Sequence, residues 1–421
     1  MNFKSRFNIF HKDYVYNLVS HNYVKVNKTL LDYLKQKERV IEENIPKDII
    51  GTLKRNNIIT EFDEIQYLDY RYNVLKFDQR KASYIVYPTL RCNFNCNYCF
   101  ETVKTGTIGQ EEISKLKLFF ERKMHELDEI NVRWSGGEPL LVWDKIKQIC
   151  ELLKKFNGSY STSIATNGYL LNEKIVREML EYGFSSLQIT IDGNKEMHNS
   201  IRYTSVDHNT YDRILDQISK SSFYLNILIR YNIDQQNKNS FQFLLKNLDE
   251  YELSKENIMI FVKPIRTKQG CLPQNNQIEE KLFFALEKEY IKLAKQYGFK
   301  YAIHPNYHKH LRCIYHQINS FAIDPALNLY KCAENIGLKK FQVGKINNNG
   351  SIKINNPDLI QRSSMYSPIS ITECRDCKVL PICNGKCPIE WEKNYKEKDA
   401  GCIPEKRTIK YKIEQLIQNG I

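Results

Sequence analysis

The stretch RCNFNCNYCFE, residues 91–101, sets Cys92, Cys96 and Cys99 in a CxxxCxxC spacing just after the apolar run SYIVYPT, residues 83–89. Three thiols this close can bind zinc, form disulfides or hold an iron–sulfur cluster. Structural zinc takes four protein ligands, often as two paired knuckles, and this loop offers three with no second pair nearby. Cluster chemistry asks for thiolates on a loop that wraps one face of an iron–sulfur cube, and the spacing favours that reading. It leaves one iron of the cube without a thiolate.

The surroundings of the loop carry a regular alternation. Strands are predicted at SYIVYPT, INVRWS, STSIATN, SLQITID, YLNILIRYN and NIMIFVKPI, with amphipathic helices such as EEISKLKLFFERKMHEL, NEKIVREMLEYG and TYDRILDQISK between them. Such βα units over residues 81–300 imply an α/β fold with a parallel sheet, open or rolled into part of a barrel. Sites in such sheets form in the loops that leave the strand ends. The three cysteines follow the first strand, SGGEP (135–139) the second, TNG (166–168) the third and DG (192–193) the fourth. Four loops with chemistry-bearing residues therefore meet on one face.

Residues 1–80 read as a separate α+β module, with two strands in DYVYNLVSHNYVKV and a helix over NKTLLDYLKQKERVIEE capped by Asn27. Residues 301–421 have fewer apolar runs and seven cysteines, the pattern of a fold organised by metal, closed by a helix over PEKRTIKYKIEQLIQ. Hydrophobic content of 42 % and charged content of 26 % are those of an ordinary globular protein. No run of roughly eighteen apolar residues predicts a membrane span, and no secretory signal opens the chain, so a cytoplasmic location is expected. In a reducing compartment clustered cysteines point to metal rather than disulfides. Cys150, inside the apolar-periodic stretch WDKIKQICELLKKF, reads as a buried thiol, and Cys271 as a loop cysteine. The net charge of +13 is spread over Lys-rich faces without a basic stripe, which fits attraction of an acidic peptide better than nucleic acid.

The segment from Arg91 to Glu101 resembles the signature of radical S-adenosylmethionine (radical SAM) enzymes, whose fold is a partial (β/α)6 barrel. The resemblance implies that the amino and carboxylate groups of S-adenosylmethionine (SAM) chelate the fourth iron of a [4Fe–4S] cluster, and that electron transfer yields a 5′-deoxyadenosyl radical. It further implies that Gly136, Gly137 and Glu138 hold the methionyl ammonium, with glycine permitting close backbone approach and the carboxylate a charge-assisted bond. Tyr98 stands where an aromatic side chain touches the adenine. Thr166, Asn167, Thr190 and Asp192 stand where the family contacts ribose or substrate, and Arg202 where an arginine meets the SAM carboxylate.

The run Cys374-x2-Cys377-x5-Cys383-x3-Cys387, followed by Cys402, resembles the SPASM domain, and SFAIDPALNLYKC, ending at Cys332, resembles its β-hairpin with the customary glycine replaced near Asn328. The resemblance implies two auxiliary [4Fe–4S] clusters. Cys374, Cys377, Cys383 and Cys402 would ligate an outer one, and Cys313, Cys332 and Cys387 an inner one that lacks a fourth thiolate. Some relatives have a cysteine where Tyr307 stands here. His308, His310, Cys271 or an open iron are the alternatives. A zinc ribbon is the competing reading of the same pairs.

Enzymes of this kind modify peptides and proteins. The implied function is a peptide maturase that abstracts hydrogen from a ribosomally made peptide, giving a thioether or C–C crosslink or an oxidised residue. Its partners would be a precursor peptide or protein and a reductant such as flavodoxin or ferredoxin, with no nucleic acid or membrane. Residues 1–80 are compatible with a leader-peptide-binding module that works by strand addition. The alternative is an anaerobic sulfatase-maturing enzyme. Those place an aspartate base directly after the hairpin cysteine, where this chain has Ala333 and then Glu334, the candidate base. Outside the class stand an iron–sulfur electron carrier and a zinc-binding nucleic-acid protein.

Overall fold

The computed structural model describes residues 2–36, 39–40, 42–99, 105–265, 277–302, 313–393, 401–402 and 405–418. Tyr307, His308, His310 and Cys271 lie outside them. The chain divides into two compact units, one of Met1–Asp78, Ile303–Gln317 and Ser364–Ile421, the other of Gln79–Ala302 and Ile318–Ser363. Breaks after Asp78 and Ala302 lie close to residues 80 and 300, but the N-terminal segment shares its unit with parts of residues 301–421, and Ile318–Ser363 joins the barrel unit.

In the second unit all six predicted strands are present: β1 (Lys81–Thr89), β2 (Glu129–Gly136), β3 (Ser159–Thr166), β4 (Phe184–Ile191), β5 (Asn226–Ile233) and β6 (Ile258–Pro264). Each pairs in parallel with the next in sequence, as successive βα crossovers require. Alternation decides which face is covered. Ile130, Val132 and Trp134 on β2, and Ile227, Ile229 and Tyr231 on β5, are buried among apolar side chains such as Leu116 and Phe119 of the helix Gln110–Glu126. Residues between them face the other side, the inside of the partial barrel. Cys150 is fully buried on the helix Trp143–Leu153, and burial pushes its thiol up to about 12, as expected of an inert core cysteine.

The sheet continues beyond both ends of this series through β7 (Lys300–Tyr301), β8 (Phe321–Ile323), β9 (Asn328–Tyr330), β10 (Gln342–Ile346) and β11 (Ile352–Ile354). Strand β8 pairs in parallel with β1, so the predicted hairpin β8–β9 extends the barrel sheet instead of belonging to a separate C-terminal domain. The hairpin turn shows what replaces the missing glycine. Asp324 Oδ1 accepts from Ala326 N and Asn328 N, each at 2.9 Å, and Leu327 takes a left-handed φ of 63°. That conformation costs a non-glycine residue about 1–2 kcal/mol, yet the Leu327 side chain is 1 % exposed. Truncating a buried leucine costs about 3–5 kcal/mol, so burial outweighs strain. Leu327→Gly is expected to destabilise the protein by about 2 kcal/mol, read as a lowered thermal midpoint. A raised midpoint would show that strain dominates.

The first unit is built around a core that joins the two ends of the chain. Phe7, Tyr16, Leu18 and Leu68 pack in one cluster with Ile371, Leu380, Ile382, Ile409 and Ile413. The predicted strand pair is an antiparallel pairing of Tyr14–Asn17 with Tyr23–Lys25. Asn27 caps the following helix, accepting from Leu30 N at 2.9 Å. That helix spans Lys28–Gln36, shorter than the expected stretch to residue 43. Arg39–Val40 instead pairs with Asn2–Lys4, so a strand partner distant in sequence overrides local helix propensity. Among the described residues no helix is long and apolar enough to cross a membrane.

Candidate active site

The mouth of the barrel is assembled by the loop after β1 and the ends of β2 to β5. Gly137 N donates to Thr89 O at 3.1 Å and Glu138 N to Arg91 O at 2.9 Å, which locks the start of the cysteine loop against the end of β2. A Cβ on Gly136, whose φ is 129°, would stand 2.3 Å from Thr89 O, and one on Gly137 would stand 2.2 Å from Arg91 O. Both positions therefore admit only glycine. The Gly137 and Glu138 amides are spent on the cysteine loop, so the acceptor offered here to an ammonium donor is the Glu138 carboxylate.

Glu138 is fully buried. Its Oε1 accepts from Leu140 N at 3.0 Å and Thr166 Oγ1 at 2.7 Å, and its Oε2 from Asn167 N at 2.7 Å. Burial raises its pKa against the pull of these bonds and of Arg202. Three donors hold the carboxylate in place without neutralising it, which leaves a fixed negative charge at the mouth. Asn167 carries the connection onward: its Nδ2 donates to Asn93 Oδ1 at 2.8 Å and reaches Cys92 Sγ at 3.9 Å.

On the other side of the loop, Tyr98 hydroxyl donates to Asp192 Oδ2 and accepts from Arg202 Nη1 at 2.7 Å and Asn232 Nδ2 at 3.0 Å. Asp192 is fully buried, takes Asn232 N at 3.2 Å, and lies 3.5 Å from Arg202 Nη1. Burial raises the Asp192 carboxyl against the Arg202 charge. Burial works against the Arg202 charge as well, but Cys96, Tyr98 and Asp192 hold it above its ordinary value. The guanidinium sits 5.7 Å from the Phe94 ring, and its Nε is buried with no hydrogen-bond partner among the described residues. Thr190, half-buried on β4 two residues before Asp192, points to the inside of the barrel.

The structure thus gathers the predicted set of Tyr98, Glu138, Thr166, Asn167, Asp192 and Arg202 into two linked networks around the cysteine loop. Asn93 and Asn232 belong to them and were missed. Asn232 ends the predicted strand YLNILIRYN, so the strand-end rule would have found it.

Cys92, Cys96 and Cys99 are all half-buried, and Phe94 N donates to Cys92 Sγ at 3.4 Å. In the first unit Cys374, Cys377, Cys383 and Cys402 line one pocket together with Lys386 and Lys406. Cys387 is exposed and lies outside that lining, its N donating to Gly401 O at 2.6 Å. Cys313 also belongs to the first unit and Cys332 to the second, each beginning a short 3-10 turn. Glu334 is exposed on the turn after Cys332, where Tyr87 hydroxyl donates to Ala333 O at 3.5 Å. Among the described residues no three Cys, His, Asp or Glu side chains close to the span of a single metal ion. A cube does not require that, because each thiolate meets its own iron.

Burial pushes the Cys92 and Cys374 thiols up to about 11. Each must release a proton to bind iron, so cluster assembly is expected to strengthen as pH rises, about tenfold per unit for each such thiol. An iron and sulfide titration followed by absorbance at several pH values checks this; a flat response would rule it out.

Residues 86–245 match the model of the radical SAM superfamily. The chain carries a radical SAM domain. Such a domain takes a [4Fe–4S] cluster and SAM, and Cys92, Cys96 and Cys99 fall inside the matched range. Among curated proteins, the chain is 30 % identical over 168 residues to an uncharacterized protein of Methanocaldococcus jannaschii, covering 39 % of this chain and 52 % of that one. It is 26 % identical over 166 residues to the cysteine-type anaerobic sulfatase-maturating enzyme of Clostridium novyi, covering 37 % and 42 %. The chain spans about half the length of the curated relatives it matches. Among solved structures, anSMEcpe with bound AdoMet has a TM-score of 0.61 at 20 % identity, covering 81 % of this chain and 96 % of that one. Streptococcus suis SuiB bound to S-adenosylmethionine has a TM-score of 0.56 at 14 % identity, covering 96 % and 98 %. At these identities the likeness concerns the fold. The radical SAM domain supplies the parallel sheet, and its β1–β4 loops carry the candidate site.

Proposed function

We propose that the protein is a cytoplasmic radical SAM peptide maturase with two auxiliary [4Fe–4S] clusters. Bound together, the cluster and SAM supply a 5′-deoxyadenosyl radical, which abstracts hydrogen from a residue of a ribosomally made peptide to give a crosslink or an oxidised side chain. The observation that carries this reading is the gathering of Cys374, Cys377, Cys383 and Cys402 around one cavity, in a chain whose radical SAM domain has its own three cysteines. A domain that only cleaved SAM has no need of a second cysteine site. Support for a peptide substrate comes from solved neighbours, one of them SuiB bound to precursor peptide SuiA and another anSMEcpe with AdoMet and the Cp18Cys peptide.

In this reading the protein's own groups bind and orient. Glu138 meets the methionyl ammonium, Arg202 the SAM carboxylate, and Tyr98 lies against the adenine while its hydroxyl is tied to Asp192. Thr166, Asn167, Thr190 and Asp192 line the ribose and substrate side. Cys313, Cys332 and Cys387 hold the inner cluster, residues 1–80 receive the leader segment of the peptide, and flavodoxin or ferredoxin delivers the electron.

Anaerobic reconstitution with iron and sulfide tests the proposal. About twelve irons per chain, a reducible cluster signal and 5′-deoxyadenosine on reduction with SAM are expected. Stoichiometric zinc, or iron without deoxyadenosine, would sink it.

A second reading, oxidation of a Cys or Ser to formylglycine, is favoured by the Clostridium novyi relative. It assigns Glu334 as the base. Glu334→Gln is then expected to cut peptide oxidation by about 100-fold or more while SAM cleavage continues. Unchanged product formation would remove Glu334 from the reaction.

A further inference from the structure

The inside of the barrel holds positive charge beyond that of Arg202. Arg133 lies on β2 between Val132 and Trp134, both buried on the helix side, so its side chain projects inward. It crosses above β3, where the inward residues Ser163 and Ala165 are small, and Arg133 Nη2 donates to Gln188 Oε1 of β4 at 2.8 Å. Arg230 projects inward from β5, level with Thr190, and its Nε donates to Asn232 Oδ1 at 2.7 Å. Both partners are neutral amides. Neither guanidinium enters an ion pair among the described residues, and each retains spare donors. Burial lowers the pKa of both; at Arg230, Tyr98 and Asp192 pull it back up while the charge of Arg133 lowers it, so the two guanidiniums feel each other across a shared space.

Two like charges facing one water-open space, each hydrogen-bonded to a neutral amide, repel one another. The arrangement becomes favourable when an anion enters, because each planar fork can take a carboxylate through two parallel bonds. The depth of the pair says which anion. Arg133 precedes Gly136 by three residues and Arg230 precedes Asn232 by two, which sets them about 7–10 Å inside the mouth at about 3.3 Å per residue. A SAM molecule that chelates an iron held by Cys92, Cys96 and Cys99 keeps its own carboxylate at the mouth.

We propose that Arg133 and Arg230 form a carboxylate subsite that takes an Asp or Glu side chain of the peptide substrate and sets the residue to be modified. The inference rests on the maturase reading and narrows its substrate to an acidic peptide. The net charge of +13 draws such a peptide toward the protein.

The test uses reconstituted full-length protein with SAM. The probes are two acetylated, amidated hexapeptide pools that differ only in Asp against Asn at one fixed position, and glutarate against glutaramide. The acid of each pair is expected to bind at least about tenfold more tightly than its amide, since bonds to charged groups are the stronger ones. In Arg133→Gln and Arg230→Gln that ratio is expected to fall toward one. Equal binding of acid and amide by the unmodified protein would overturn the proposal without recourse to a variant. A loss of SAM affinity of about tenfold or more in the variants, with no acid preference in the unmodified protein, would assign the pair to SAM and overturn it too. Preference for glutarate with neither peptide pool bound would uphold the anion subsite and overturn the peptide reading.

Discussion

Replacing Cys92, Cys96 and Cys99 together by alanine is expected to take 5′-deoxyadenosine formation to background and to remove about four irons per chain. The three thiols follow β1 on one loop, and that loop is locked to β2 through Thr89 and Arg91 and to the residues after β4 through Asn95 N, which donates to Tyr203 O at 2.8 Å. With the loop held in this way, losing the sulfurs leaves its scaffold intact. The fold and the remaining eight or so irons should therefore survive, so loss of activity reads the cluster and not unfolding. The measurement is iron per chain alongside deoxyadenosine after reduction. Undiminished deoxyadenosine in the triple variant would refute the assignment of these cysteines.

Glu138→Gln is expected to weaken SAM binding by about 100-fold, with a cost of about 2 kcal/mol in stability. The amide keeps the shape and can still accept from Leu140 N and Thr166 Oγ1, but it turns an NH2 toward Asn167 N, which has lost its acceptor. Two donors then face each other in a fully buried place, and the fixed negative charge is gone. Asn167 links this point to Asn93 and Cys92, so the cluster loop feels the change. The unmodified protein should show the same loss on acidification. Burial raises the Glu138 pKa, so the carboxylate protonates as pH falls at a higher pH than an exposed one does. The variant has nothing to titrate there and should lack that limb. SAM binding by equilibrium dialysis across pH checks both; identical profiles for the two proteins would exclude Glu138 from the site.

The legible parts of this protein were those governed by local periodicity. Six strands stand where alternation and flanking helices put them, because a strand buried on one face must repeat every second residue and a helix every third or fourth. Cys150 was readable for the same reason. Asn27 caps its helix because a short amide side chain satisfies an amide that the helix leaves open. The helix that follows was overestimated, since only a partner nearly forty residues earlier in the chain turns Arg39–Val40 into a strand.

The three-cysteine loop and the loops bearing Glu138, Asn167 and Asp192 were readable as a set, since parallel βα units deliver all their strand ends to one face whatever the details of packing. What the amino-acid order alone determines here is therefore the alternation, the strand ends and the residues they carry. Tertiary structure alone decides the rest. Pairing of β8 with β1 draws the hairpin into the barrel sheet, and the shared core of Phe7 and Leu18 with Ile382 and Ile413 joins the two chain ends. The exchange among Tyr98, Asp192, Arg202 and Asn232, and the reach of Arg133 across β3 to Gln188, exist only once strands far apart in sequence lie side by side. Such contacts obey no period, because what fixes them is the distance between side chains in the folded sheet and not their spacing along the chain.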